Sequence, residues 1–304
     1  MKTLNLGMSG LEVPVIAVGC MRINNIVKED AFAFIQTALD LGANFFDHAG
    51  VYGDGCCEEI FSAALSRMRR HEIIIQTKVG IRKGVSFDFS TENIINSTEQ
   101  SLKHLRTDYI DILLLHRPDI LMEAEEVAEA FGELNASGKV RFFGVSNHNS
   151  GQIELLKKYV KQPLIVNQLQ FGIAHSLLLT EGIYVNMLGD KAASRTGGIL
   201  DYCRLHDITI QPWSPFQYGF FDGTFLGNPK FPELNKTINK IAEKYGVSNT
   251  TIAIAWILRH PAKMQPVTGT MNPDHFRDCI KATEITLTRE EWYTIFQAAG
   301  NKLP

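Results

Sequence analysis

The polar residues that end the most apolar runs of this chain are the ones equipped for chemistry. Asp47 closes Phe-Phe-Asp-His, Lys78 closes Ile-Ile-Gln-Thr-Lys, His116 closes Leu-Leu-Leu-His and Ser146-Asn147 closes Phe-Gly-Val-Ser-Asn, followed by Asn167 and Gln168, Trp213-Ser214 and Thr268-Gly269. So many polar ends converging on one face are costly unless they pair with each other or with a ligand. Asp47 and Lys78, on neighbouring strands, can form a buried ion pair, and Tyr52 stands just beyond Asp47. A cation beside a phenol favours phenolate, so Tyr52 is expected to have a pKa below the usual value of about 10 and to donate a proton more readily near neutrality. His116 can then orient a carbonyl or share its proton. Taken singly, the pair could be structural, His116 a strand cap and Trp213 core; the catalytic reading rests on them jointly. His48 points away from Asp47 in a strand and receives no role.

Elements that would bring these residues together alternate along the chain. Eight short β-branched or aliphatic runs, 15–19, 44–48, 73–79, 111–116, 140–146, 164–170, 208–213 and 264–268, are each followed by a stretch with helical spacing. Helices are expected at 29–41, 57–68, 91–105, 122–137, 150–160, 197–206, 233–259 and 273–282, with a capping box at Thr288 and Glu291 opening one more. This βα order, with strands apolar on both faces, predicts an α/β fold: a single (β/α)8 TIM barrel over residues 1–304, with an N-terminal β-hairpin (2–6 and 11–13) over one end and an extra C-terminal helix. The long segments 171–196 and 215–232 follow strands, which puts them on the C-terminal face where barrel active sites lie. Pocket walls are expected from hairpin-adjacent residues, from 87–89 and from these loops.

Composition bounds the function without naming it. The 304 residues are 45% hydrophobic and 21% charged with a net charge of −3, and the pI is about 6.3. That is ordinary globular usage, with no basic footprint for nucleic acid. The chain lacks a signal-peptide apolar region and an apolar run long enough for a membrane span, and its five cysteines are scattered apart from Cys56-Cys57. The expectation is a cytoplasmic protein without a disulfide framework. No metal-binding spacing occurs among the histidines and cysteines. Glu58-Glu59 is expected to open a helix rather than to form a hydrolase carboxylate pair with Asp47.

The constellation Asp47, Tyr52, Lys78 and His116 resembles the catalytic tetrad of the aldo-keto reductases. Further resemblance lies in Phe45-Phe-Asp-His-Ala-Gly-Val-Tyr-Gly53, Thr77-Lys-Val-Gly80, Asp108-Tyr-Ile-Asp-Ile-Leu-Leu-Leu-His-Arg-Pro118, Gly138-Lys-Val-Arg-Phe-Phe-Gly-Val-Ser-Asn147 and the stretch from Ala242 to Pro261. The Arg-Pro-Asp after His116 resembles a bacterial branch of that family.

The resemblance implies an NAD(P)H-dependent oxidoreductase that reduces an aldehyde or ketone by hydride transfer, with Tyr52 as proton donor. The cofactor implied is NADPH, or NADH, lying across the barrel mouth; no GxGxxG follows a strand. Ser146, Asn147 and Gln168 would hold the carboxamide and Trp213 would stack on the nicotinamide, with Met21 and Asp47 beside it. Ser214, Pro215 and Gly219 would approach the pyrophosphate, and Gly269, Thr270, Asn272 and His275 the adenosine end. Met271, Asn272 and His275 stand where many members carry basic side chains for the 2′-phosphate, which weakens the preference for NADPH; Asp278-Cys279 replaces a common Glu-Asn pair. The partner expected is a small-molecule carbonyl substrate, on a monomer or small homo-oligomer, with no nucleic acid or membrane. Because the family includes members that matter as binding partners, a nicotinamide-binding regulatory subunit is the alternative.

Overall fold

The computed structural model describes residues 1–304. Eight parallel strands close a barrel: β3 (Ala17–Gly19), β4 (Phe45–Asp47), β5 (Ile74–Val79), β8 (Ile110–Leu115), β9 (Val140–Ser146), β10 (Leu164–Gln170), β11 (Thr209–Trp213) and β12 (Val267–Thr268), with β12 pairing back to β3. Two antiparallel hairpins lie outside it, β1 (Thr3–Asn5) with β2 (Glu12–Pro14), and β6 (Ile81–Arg82) with β7 (Ser86–Phe87). The outer layer comprises α1 (Lys28–Asp40), α2 (Cys56–Leu65), α3 (Thr91–Leu105), α4 (Ala124–Ala136), α5 (Ser150–Lys157), α6 (Leu177–Ile183), α7 (Ile199–Leu205), α8 (Pro232–Tyr245), α9 (Asn249–Leu258), α10 (Pro273–Lys281) and α11 (Arg289–Ala298). No helix is long and apolar enough to cross a membrane.

Strand alternation splits the core in two. One face of the strands packs against the helices in a large apolar cluster that includes Phe46, Ile75, Leu113 and Phe143. The other face fills the lower barrel with Ala17, Phe45, Ile74, Ile112, Leu114, Val166 and Val267, closed from below by Leu6 and Val13 of the β1–β2 hairpin. Gly144 faces inward in β9, and a Cβ there would come within 2.7 Å of the Val166 carbonyl and 2.8 Å of Leu114. Its bare Cα is what lets Leu114 fill the lower barrel.

The hairpin sits at the N-terminal end of the strands. The Gly7 N–H donates to Thr209 Oγ1 at 2.7 Å, and Thr209 is the first residue of β11. It therefore plugs the end opposite the active-site face, and the expectation that its neighbourhood walls the pocket is corrected.

The expected helix at 233–259 is two helices. Gly246 turns left-handed at φ 63°, its N–H bonding back to the Ala242 and Glu243 carbonyls, and Ser248 then caps α9 by accepting from the Thr251 N–H. Apolar periodicity runs through that break, but Gly at C′ followed by Ser at the next N-cap is a stop and a start. The segment 171–196 contains α6 and a short 3-10 turn, so it is not an unstructured loop. The capping box at Thr288 and Glu291 forms as expected and opens α11.

Candidate active site

Above the apolar floor the barrel interior turns polar. Inward parity in β4 gives Phe45 then Asp47, and in β5 it gives Ile74, Gln76 then Lys78. Parallel register sets the strands side by side, with Asp47 opposite Gln76. Lys78 Nζ donates to Asp47 Oδ2 at 2.8 Å, to the His48 carbonyl at 2.7 Å and to Tyr52 OH at 3.2 Å. Asp47 and Lys78 are both buried. Their pair is the buried ion pair expected from the sequence, and it ends on the tyrosine.

The second carboxylate oxygen of Asp47 is held by amides. Gln76 Nε2 donates to Oδ1 at 2.6 Å and Gln168 Nε2 at 3.0 Å, and the same two amides donate to Gln211 Oε1 at 2.8 and 3.1 Å. Gln211 Nε2 donates to Gln265 Oε1 at 2.8 Å, and Gln265 Nε2 donates to the Pro14 carbonyl at 2.7 Å. A chain of side-chain amides thus runs from Asp47 down to the plugging hairpin. Gln76, Gln211 and Gln265 were missed by sequence reasoning, although Gln76 shares the inward parity of Lys78, and Gln211 that of Trp213.

Electrostatics correct one expectation. Burial raises the Tyr52 pKa above its ordinary value, with Asp47 adding to the rise; Lys78 lowers it but is outweighed. The expected depression fails because the phenolate would be buried, and sequence spacing does not reveal depth. Burial alone would lower the Lys78 pKa, but Asp47 and Tyr52 overcome it and the net shift is upward. His116 is held well below the usual histidine value by burial, with Lys78 and Arg117 adding to the effect, so its ring is neutral near pH 7. Its Nδ1 is buried without a partner. The ring meets Tyr52 edge-on at 5.8 Å between centroids.

Tyr52 and His116 open into a cavity of about 260 Å³ at the C-terminal mouth, which Met21, Gln168, Trp213, Ser214 and Gly269 also line. Asp47, Ser146 and Asn147 reach it as well, together with residues not foreseen, among them Arg22, Val51, Ile81 and Arg117. Phe220 and Phe221, from the loop after β11, flank Trp213 at 6.3 and 6.1 Å between ring centroids. A groove of about 700 Å³ between α6, α7 and α11 is larger but contains none of the tetrad.

Other expected residues lie outside the cavity lining. Pro215 and Gly219 do not line it, and the Gly219 carbonyl accepts the Gln170 amide at 2.8 Å. Thr270, Asn272 and His275 lie at the start of α10; Asn272 is its N-cap, accepting from the Asp274 and His275 N–H groups at 2.9 and 3.1 Å. Arg277 pairs with Asp274 at 2.8 Å. Phe87 is exposed and Phe89 is buried against His148, so 87–89 does not wall the cavity. Glu58 turns to the outer face of β5, where it accepts from Thr77 Oγ1 at 2.7 Å, away from Asp47. All five cysteines are free.

A profile described as Aldo/keto reductase family matches residues 15–299. The chain belongs to the aldo/keto reductase family. It is 34% identical over 303 residues to an uncharacterized oxidoreductase, YcsN, of Bacillus subtilis, with 94% of each chain covered. It is 33% identical over 307 residues to a 6-dehydroglucose reductase of Agrobacterium fabrum, with 96% of each covered. A crystal structure of the thermostable aldo-keto reductase Tm1743 with the inhibitor epalrestat matches with a TM-score of 0.80 at 26% identity, covering 98% of this chain and 100% of that one. A probable voltage-gated potassium channel subunit beta of Arabidopsis thaliana is 27% identical over 323 residues, with 94% of this chain and 92% of that one covered.

Aldo-keto reductases generally use NAD(P)H, and the residues here suit a nicotinamide. Asn147 is committed at both ends, accepting from Trp213 Nε1 at 3.1 Å and donating to Ser146 Oγ at 2.7 Å. Gln168, by contrast, spends only its Nε2 on Asp47 and Gln211, which leaves its carbonyl oxygen for a ligand amide. Trp213 is half-buried, its ring held by that Asn147 bond and by Phe221 at 29° between planes. Gly269 lies on the far rim, where its carbonyl accepts from Arg22 at 3.2 Å.

Proposed function

We propose that this protein reduces an aldehyde or ketone to the alcohol with NADPH or NADH, reversibly, and that Tyr52 supplies the proton. The observation that carries this reading is the hydrogen-bonded series Asp47, Lys78, Tyr52 at the floor of a cavity with a tryptophan wall. A bound nicotinamide supplies hydride to the carbonyl carbon. Tyr52, with its raised pKa, stays protonated near pH 7 and gives its proton to the developing alkoxide. Lys78, 3.2 Å from the phenol oxygen, stabilises the phenolate left behind, and Asp47 fixes Lys78. Neutral His116 holds the carbonyl oxygen in place beside Tyr52. Trp213 would stack on the nicotinamide ring and Gln168 would orient its carboxamide through its free carbonyl, with Ser146 and Asn147 beside it bonded to each other and to Trp213, and Met21 sharing that wall. Ser214, Pro215 and Gly219 serve the pyrophosphate side, and Gly269, Thr270, Asn272 and His275 the adenosine side. We read His116-Arg-Pro-Asp119 as the mark of a bacterial branch.

The channel-subunit relative supports a second reading, a nicotinamide-binding regulatory subunit with little turnover. Titration with NADPH and NADH separately, followed through Trp213 fluorescence, and then a carbonyl panel followed through cofactor absorbance, separates the two. Binding with turnover supports the reductase, binding without turnover supports the regulatory subunit, and no binding of either nucleotide overturns both.

A further inference from the structure

Arg117 has a place in the cavity that catalysis leaves unused. It directly follows His116, and its guanidinium carbon lies 5.4 Å from the ring centre of Trp213 and 5.5 Å from that of Phe220. Four arginines are half-buried: Arg22, Arg70, Arg117 and Arg259. Arg22 donates to the Gly269 carbonyl, Arg70 to Asp111 and Arg259 to the Leu287 carbonyl. Arg117 alone donates to nothing in the protein.

A half-buried guanidinium without a protein acceptor has given up part of its hydration for no hydrogen bond within the protein, so an acceptor brought by a ligand would be favoured. Burial does lower its pKa, but arginine remains charged. Nor can the cavity supply a counter-ion from within. Asp47, the single acidic residue in its lining, is occupied by Lys78, Gln76 and Gln168. The aromatic faces of Trp213 and Phe220 hold the guanidinium in place by cation–π contact while leaving its edge donors free.

We propose that Arg117 binds a carboxylate on the substrate, so that the preferred substrates are oxo acids rather than neutral aldehydes or ketones. This rests on the carbonyl-reductase reading of the same site. A planar fork of donors matches a carboxylate in a bidentate pair, and its position next to His116 sets the acid group near the reacting carbonyl. A neutral substrate filling the cavity would displace the water still open to the guanidinium and offer no acceptor in its place, and is disfavoured for that reason.

The test compares succinic semialdehyde with butanal, which differ by a terminal carboxylate against a methyl, in the wild type and in Arg117→Met and Arg117→Lys. The wild type is expected to prefer the oxo acid in kcat/KM. Arg117→Met is expected to reduce that preference about ten- to a hundredfold, the value of a charge-assisted pair, and Arg117→Lys to keep part of it. A preference unchanged in Arg117→Met overturns the proposal, as does a loss of NADPH affinity by the same factor, which would assign Arg117 to the nucleotide. Succinate titrated into the protein with NADP⁺ gives a readout independent of turnover. Binding weakened about tenfold or more in Arg117→Met supports the proposal even if neither aldehyde is reduced, and equal binding overturns it.

Discussion

Replacing Lys78 with Met, Asp47 with Asn, and then both together, tests whether the active-site floor is held by charge. Removing one partner of a buried ion pair strands the other, at a cost of about 3–5 kcal/mol. Lys78→Met leaves the Asp47 carboxylate with its bonds from Gln76 and Gln168 at 2.6 and 3.0 Å, so its cost belongs at the low end, about 3 kcal/mol. Asp47→Asn leaves the ammonium with only neutral oxygens, the His48 carbonyl at 2.7 Å and Tyr52 OH at 3.2 Å, and is expected nearer 4–5 kcal/mol, about the upper end. The double variant removes both charges. It is expected to cost only about 1–2 kcal/mol, a favourable coupling that urea unfolding of the four proteins measures directly. Turnover is expected to be lost in all three variants.

The same set carries a pH signature whose sign is fixed by the lysine. In the wild type the Lys78 pKa is raised, so its stabilisation is present below the unfolded lysine value of about 10.4 and is lost as pH climbs through the higher native value. In Asp47→Asn burial acts without its counter-charge and the native pKa falls. The unfolded chain then binds more protons than the folded one, and stability rises with pH up to about 10.4. Unfolding midpoints measured from pH 7 to 11 or so should therefore slope in opposite senses in the alkaline limb. A double variant as unstable as the worse single, or an Asp47→Asn slope parallel to that of the wild type, refutes the reasoning.

Tyr52→Phe should cut turnover by about 10²–10⁴, the usual contribution of a general acid, while nucleotide titration shows binding retained. Trp213→Ala should weaken nucleotide binding by about 1–3 kcal/mol, read from the same titration, because it removes a stacking face together with the indole N–H that holds Asn147. Gln76→Leu deletes the bond to Asp47 and the bond to Gln211, together about 2–4 kcal/mol, but it also removes a buried Oε1 that has no partner, about 1–3 kcal/mol. Its net cost in urea unfolding should be about 1–2 kcal/mol, with a fall in kcat that marks it as positioning Asp47.

Strands 140–146 and 164–170 were legible residue for residue because β-branched and aromatic runs in a parallel barrel are apolar on both faces. The helical stretch at 233–259 misled because Gly246 falls inside an unbroken apolar period, and its left-handed turn is a property of backbone angles rather than of pattern. Within the site, position at the C-terminal ends of apolar runs delivered Asp47 and Lys78. Legibility failed where a side chain's role depends on what surrounds it in three dimensions. The Tyr52 pKa turns on depth, and that no protein acceptor reaches Arg117 is a fact of the folded cavity and not of its spacing.

The glutamines show why an apolar strand pattern can hide polar residues that support a candidate site. An inward-facing amide at the middle of a barrel strand is expensive on its own, and a single Gln in β5 or β11 reads as an exception to the pattern. Four of them are stable together because each donor meets the next acceptor, from Pro14 through Gln265, Gln211, and Gln76 with Gln168, to the carboxylate. The donors diverge at Gln76 and Gln168: these two amides donate upward, converging on Asp47 Oδ1, and downward to Gln211, from which the bonds pass on to Gln265 and the Pro14 carbonyl. Asp47 is thereby fixed by amides on one oxygen and by the Lys78 ammonium on the other. The orientation of Lys78 toward Tyr52 follows from that arrangement, so the geometry at the cavity floor is set from beneath, by residues that never touch a substrate.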